Sequence, residues 1–269
     1  MKIFVCIKQV PGISEVKIDP KTNTLIREGI PSIINPMDKN GIELALKIKE
    51  ERGAEVIAIS MGPSQAEKAL REALAMGADR AFLLTDRAFA GADTLATSHA
   101  LALAIKKILK DSKRDEKYIV ICGTQAIDGD TAQVGPELAE ELDIPQITYV
   151  QKFALKGDDS IVAERAFRTE EIVVIESKLP VLISVLKEIN MPRYPTMSGI
   201  VDAYEQHEVS KLDAKALNAD KAFIGLTGSQ TEVWKIFIPK RKGEHIKLTG
   251  TIEEMSRELC QKLKEDKIF

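Results

Sequence analysis

A chain of 269 residues is long enough for one large domain or two small ones, and its formal net charge of −3 provides no basic field to attract nucleic acid. Hydrophobic residues make up 44% and charged residues 29%, as in ordinary globular chains, while aromatics at only 5% leave the core to Ile, Val, Leu and Ala. No apolar stretch approaches the roughly 20 residues that span a bilayer. The first residues run straight into a strand pattern without a signal-peptide core, so a cytoplasmic protein with no membrane insertion is expected. Cys6, Cys122 and Cys260 are widely spaced and odd in number, which argues against a disulfide framework. The histidines are equally scattered, and no metal site is expected.

In chain order, the apolar run 3–7 reads as a strand buried on both faces. Stretches 16–19 and 24–27 flank Pro20-Lys21-Thr22-Asn23 and predict a small hairpin. Asn35-Pro36-Met37-Asp38 leads into a helix over 39–52, with Ile42, Leu44, Ala45, Leu46 and Ile48 on its apolar side and Gly53 as its stop. A second strand is predicted over 55–60. Ser64 and Glu67 form a capping box for a helix over 65–76. A third strand covers 80–85, and Asp93 or Thr94 caps a helix running to about Lys110. Residues 118–122 give a fourth strand, then the loop 123–136, then a helix over 137–142.

This alternation predicts an α/β fold, a parallel, Rossmann-like nucleotide-binding sheet flanked by helices. Beyond Pro145 the pattern changes. Stretches 148–155 and 161–167 read as an antiparallel hairpin, and 170–176 and 181–186 as further strands that extend the same sheet. Residues 190–198 read as a loop and 198–205 as a helix start. The rest carries little apolar periodicity before 233–238; the stretch 239–243 is basic, and Thr251 with Glu254 caps a final helix. A nucleotide-binding domain over 1–205 and a C-terminal arm over 206–269 are expected.

Four loops, 8–12, 61–63, 86–94 and 123–136, fall at carboxyl ends of predicted strands, where open parallel sheets hold their ligands. The last reads Gly123-Thr124-Gln125-Ala126-Ile127-Asp128-Gly129-Asp130-Thr131-Ala132-Gln133-Val134-Gly135-Pro136. Strand, glycine-containing loop and helix start are the parts that hold a phosphate on backbone N–H groups. The loop matches neither GxGxxG nor GxxxxGK[ST], and a plain β–α connection rich in Asp and Gly reads the same way. No nucleophile–base pair is visible. Asp128 and Asp130, two apart in a turn, read as loop-shaping caps rather than an acid–base pair, so chemistry falls to a bound cofactor.

Taken together, Val5-Cys6-Ile7-Lys8-Gln9-Val10, Asn35-Pro36, Ala-Leu-Ala-Met-Gly-Ala-Asp-Arg at 73–80, Gln125-Ala126-Ile127-Asp128 and Pro192-Arg193-Tyr194 closely resemble the β subunit of electron-transfer flavoproteins, nearly end to end. The resemblance implies a heterodimer with an α subunit that carries its own FAD and on which the arm packs. It implies AMP in the β-subunit site of housekeeping members and a second FAD in that of electron-bifurcating ones. The implied cofactor contacts are Cys6, Asn35, Pro36, Met37, Asp38, Met61 and the loop from Gly123, through Gln125, Ala126, Ile127, Asp128, Gly129, Asp130, Thr131, Ala132, Gln133, Val134 and Gly135, to Pro136. Asp93, Thr94 and Thr97 are further contacts of the FAD-binding type.

The AMP type resembles Gln-Ala-Ile-Asp-Asp-Asp-Cys-Asn-Gln at the central loop. Here Gly129 removes a carboxylate and Thr131 supplies a hydroxyl, which resembles the bifurcating group and favours FAD, with AMP as the alternative. The implied function is hydride acceptance from NADH, with one electron passing to ferredoxin or flavodoxin and the other through the α-subunit FAD to a flavin-dependent dehydrogenase. That dehydrogenase is expected to dock at Pro192, Arg193, Tyr194 and Met197, with Met197 as the apolar anchor; a core methionine is the other reading. No residue is required as a catalytic acid or base. Two other classes stay open. One is an adenine-nucleotide sensor module. The other is an ATP-pyrophosphatase-type ligase, whose Ser-Gly-Gly-x-Asp-Ser loop is missing after the first strand.

Overall fold

The computed structural model describes residues 1–12, 17–18, 25–26, 31–110, 117–168, 171–234 and 246–268. Two compact units are present, Met1–Trp234 and Lys235–Phe269. In the first, alternating elements build the site end of a sheet: β1 (Lys2–Cys6), β2 (Gln9–Pro11), β3 (Lys17–Ile18), β4 (Leu25–Ile26), β5 (Ser32–Ile34), α1 (Pro36–Arg52), β6 (Glu55–Met61), α2 (Glu67–Met76), β7 (Arg80–Leu84), α3 (Thr94–Lys110), β8 (Tyr118–Gly123) and α4 (Val134–Leu142). There follow β9 (Gln146–Lys156), β10 (Ser160–Arg168), β11 (Glu171–Lys178), β12 (Val181–Val185), α5 (Met197–Glu205), β13 (Val209–Leu212) and α6 (Gly225–Gly228). The second unit carries α7 (Ile252–Glu265).

Nine strands form one sheet in the order β11-β10-β9-β12-β8-β1-β6-β7-β13. From β9 to β13 every neighbouring pair is parallel, and β10 and β11 extend the sheet antiparallel. Side chains alternate across β1: Ile3 and Val5 enter the core under α1 and α2, Phe4 and Cys6 the core under α3 and α4. Both faces are covered, which is why β1, β6, β8 and β12 read as continuous apolar runs. Among the described residues no helix is long and apolar enough to cross a membrane.

The α/β expectation holds, with differences at element ends. The hairpin reduces to β3 paired with β4, Lys17 opposite Ile26 and Ile18 opposite Leu25; its turn lies outside the described residues. Helix α1 starts at Pro36, three residues early, because Pro suits a first helical turn. The capping box expected at Ser64 and Glu67 does not form. Ser64–Ala66 makes a tight 3-10 turn, and the Glu67 carboxylate pairs with Arg71 and Lys211, both at 3.0 Å. The box at Thr251 and Glu254 does form, with both reciprocal bonds. Edge strand β13 was not anticipated, since Ser210 and Lys211 interrupt its apolar signal. The basic stretch 239–243 lies outside the described residues.

Candidate nucleotide site at the switch point

From β1 the chain builds outward through β6 and β7, then returns to place β8 on the other side of β1. The loops leaving β1 and β8 therefore diverge, and the crevice between them is the topological switch point. Asn35 and Asp38 lock its floor. Asn35 Nδ2 donates to Asp38 Oδ1 and to the Gln125 carbonyl, both at 2.9 Å, and its Oδ1 accepts from Ile127 N at 3.1 Å. Asp38 Oδ2 accepts from Lys8 N at 2.7 Å, and the Gly123 N–H also donates to this carboxyl. Burial pushes the Asp38 carboxyl up to about 7, against the lowering effect of these donors. Beside it, Cys6 and Cys122 face each other in register, and their mutual hydrogen bond, together with burial, pushes the Cys122 thiol up. It stays a neutral thiol that packs rather than reacts.

The loop after β8 is shaped by its own carboxylates. Asp128 pairs with Lys8 Nζ at 2.7 Å, and Asp130 accepts from Gln125 Nε2. Gly129 N and Asp130 N both donate to the Ala126 carbonyl, at 3.3 and 2.8 Å. The left-handed residues are Asp130 (φ 56°) and Ala132 (φ 55°), not Gly129. A Cβ at Gly129 would meet nothing within 4 Å, so this glycine leaves open space. Gly123 is the opposite case: a Cβ there would lie 2.2 Å from Asp38 Oδ1 and 2.9 Å from Met37 Cβ. Helix α4 begins at Val134 with no side-chain cap, so Val134, Gly135 and Pro136 form its first turn and the positive end of its dipole faces the loop.

On the far side, α3 carries Asp93, Thr94 and Thr97. Asp93 caps α3 through Ala96 N at 3.0 Å, and its Oδ2 accepts from Gln230 N, Thr231 N and Thr231 Oγ1 at 2.8, 3.0 and 3.0 Å. Burial raises this carboxyl, but those bonds outweigh it and hold it below the usual range. Asp93 is thus occupied within the fold, and Thr94 faces α4. Its Oγ1 donates to Glu137 Oε1 at 3.0 Å, while Glu137 Oε2 is buried with no partner. Burial raises the Glu137 carboxyl. Sequence reasoning missed Glu137, one residue past the loop; Lys8 stood in the loop 8–12 and in the motif 5–10 but was not among the expected contacts. Met61 ends β6 and packs on the core under α3 and α4. The docking candidates are not part of this crevice. They lie on the segment after β12, with Tyr194 92% and Met197 80% exposed, which excludes a core role for Met197.

A mostly parallel sheet flanked by helices, with a crevice at its switch point, defines a Rossmann-like α/β fold. A family model described as "Electron transfer flavoprotein domain" matches residues 22–217. The chain is 56% identical to the electron transfer flavoprotein subunit beta of Thermoanaerobacterium thermosaccharolyticum, covering 98% of both chains. It is 49% identical to the caffeyl-CoA reductase-Etf complex subunit CarD of Acetobacterium woodii over the full length of both. It is 43% identical to the acryloyl-CoA reductase electron transfer subunit gamma of Anaerotignum propionicum, again over 98% of each. The chain belongs to the electron-transfer flavoprotein β-subunit family.

Proposed function

We propose that this chain works in a heterodimer with an electron-transfer flavoprotein α subunit, and that its switch-point site holds FAD rather than AMP. The observation that carries the reading is the open side of the loop at Gly129, next to the uncapped start of α4. The missing third carboxylate lowers repulsion toward a pyrophosphate, and the open space at Gly129 leaves room for its second phosphate to approach the loop backbone. The Thr131 hydroxyl and the N–H groups of the first α4 turn are the donors available to the phosphates. Asn35 and Asp38 hold the loop rather than the ligand. Thr94 and Glu137 suit a polyhydroxyl segment, because a ligand O–H supplies the donor that buried Glu137 Oε2 lacks.

Bound there, FAD supplies hydride acceptance from NADH and single-electron delivery to ferredoxin or flavodoxin and to the α-subunit FAD. The chain's own part is to hold the cofactor and shield it, and none of its residues is assigned as an acid or base. The names of the two reductase-associated relatives support a flavin-dependent acyl-CoA reductase as the downstream dehydrogenase.

The test is the flavin count of the purified heterodimer and of its Gly129→Asp variant. Two FAD per wild-type heterodimer are expected. Gly129→Asp should fold normally, since nothing lies near the new side chain, yet fall to about one FAD. One FAD together with AMP in the wild type would sink the FAD reading and leave a housekeeping electron-transfer flavoprotein.

A further inference from the structure

Beyond the crevice, α1 performs a second task. On one side of the helix, Asn40, Glu43 and Glu50 grip the segment that follows β12. Asn40 Nδ2 donates to the carbonyls of Lys187 and Asn190 at 3.2 and 2.8 Å, and Asn190 Nδ2 donates back to the Asn40 carbonyl at 3.0 Å. Glu43 is buried, and its carboxylate accepts three bonds from Arg193: from the backbone N at 3.1 Å, Nε at 2.8 Å and Nη2 at 3.1 Å. The same guanidinium reaches Glu50 through Nη1 at 2.5 Å and Nη2 at 3.2 Å. Either side of this buried charge, the chain turns Met191, Tyr194 and Met197 outward, 87%, 92% and 80% exposed.

A buried carboxylate is a poor way to gain stability, because desolvation offsets much of what its partner returns. It is a good way to fix one geometry. Three large apolar side chains held outward on a clamped loop lose little freedom when a partner covers them. A loop whose task was only to cover α1 would turn those side chains inward. Arg193, expected from sequence at the docking surface, commits its guanidinium to Glu43 and Glu50 of α1.

We propose that Glu43 and Arg193 form a positioning clamp that holds Met191, Tyr194 and Met197 in the shape the partner flavin dehydrogenase binds. The proposal rests on the docking role that the family resemblance implies for this segment. Lys at 193 cannot reproduce the fork, and Gln at 43 keeps the shape but removes the charge. Asn190→Ala removes a grip of the same loop without touching the charge pair.

The experiment uses the whole heterodimer, reduced with dithionite, and the flavin-dependent acyl-CoA reductase purified with it. Electron transfer is followed against reductase concentration. Arg193→Lys and Glu43→Gln should raise the half-saturating reductase concentration about tenfold, and Asn190→Ala several-fold. The saturated rate and the flavin content should be unchanged. Amide exchange over 188–196 should accelerate at least tenfold, with β1 and the loop 123–136 unaffected. Faster exchange at an unchanged half-saturation, or unchanged exchange, overturns the clamp. Met197→Ala separates the two ideas. If it raises half-saturation and the clamp variants do not, the clamp alone fails; if it too has no effect, the docking reading fails with it.

Discussion

Asp38 sits where the first-strand loop, the fourth parallel connection and the start of α1 meet, and it carries a pH dependence that can be read out. Its carboxyl titrates near 7 in the folded chain because burial outweighs the donors from Asn35, Lys8 and Gly123. In the unfolded chain it titrates near the ordinary Asp value of about 3.9. The folded state therefore binds this proton more tightly. The stabilisation is full below about pH 4, is lost as pH rises through about 7, and is constant above that. Asp38→Asn cannot titrate, so its own stability carries none of this dependence and serves as the reference. The stability difference between wild type and Asp38→Asn should shrink steadily between about pH 4 and pH 7.5 in urea titrations. A difference that grows over that range would mean Asp38 stays ionised in the fold. Nothing in the sequence signalled this, because the burial of Asp38 depends on two strands far from it in the chain.

At the scale of elements, α1 is the part on which both proposed surfaces depend, and it packs closely on β8. A Cβ on Gly123 would stand 3.0 Å from Asp38 N and closer still to its side chain, and backbone at a helix start has little room to give. Gly123→Ala should cost about 1–3 kcal/mol, as overpacked sites do. Gly129→Ala, with no neighbour within 4 Å, should stay within about 0.5 kcal/mol. Urea midpoints at one pH compare the two, and equal midpoints would show that β8 and α1 can separate freely. In sequence both glycines stand in one strand-end loop, and Gly129 stands out for the carboxylate it removes, not for its space. What distinguishes them is the neighbour across the crevice. The same reason accounts for the other misses. Ser64 and Glu67 had the right spacing for a cap, but Arg71 and Lys211 take the carboxylate. Thr251 and Glu254 had the same spacing and, among the described residues, no competitor, so their box forms. Periodicity located β1, β6, β7 and β8 because burial on both faces writes itself into local composition. It did not locate β13, a short edge strand held by its pairing with β7.

For the whole molecule, the unanswered burial is in the second unit. Along α7, Ile252, Met255, Leu259 and Leu263 recur at helical steps and form one apolar stripe. Ile252 is 79% and Leu259 47% exposed. A helix of 14 residues is marginal in water by itself, even with a complete capping box. An apolar stripe on a marginal helix is stabilised when another surface covers it. We propose that the α subunit is that surface, as the expected C-terminal arm requires. Burying one such side chain is worth about 1.5–3 kcal/mol, and each 1.4 kcal/mol changes an equilibrium about tenfold. Replacing Ile252 and Leu259 together with Asp should therefore weaken association with the α subunit at least about a hundredfold, read by sedimentation of the co-expressed pair over a dilution series. The urea midpoint of the first unit should not move, because the substitutions lie outside Met1–Trp234. Unchanged sedimentation would place the α subunit elsewhere. A falling midpoint with intact association would make α7 a support for its own chain rather than an arm for a partner.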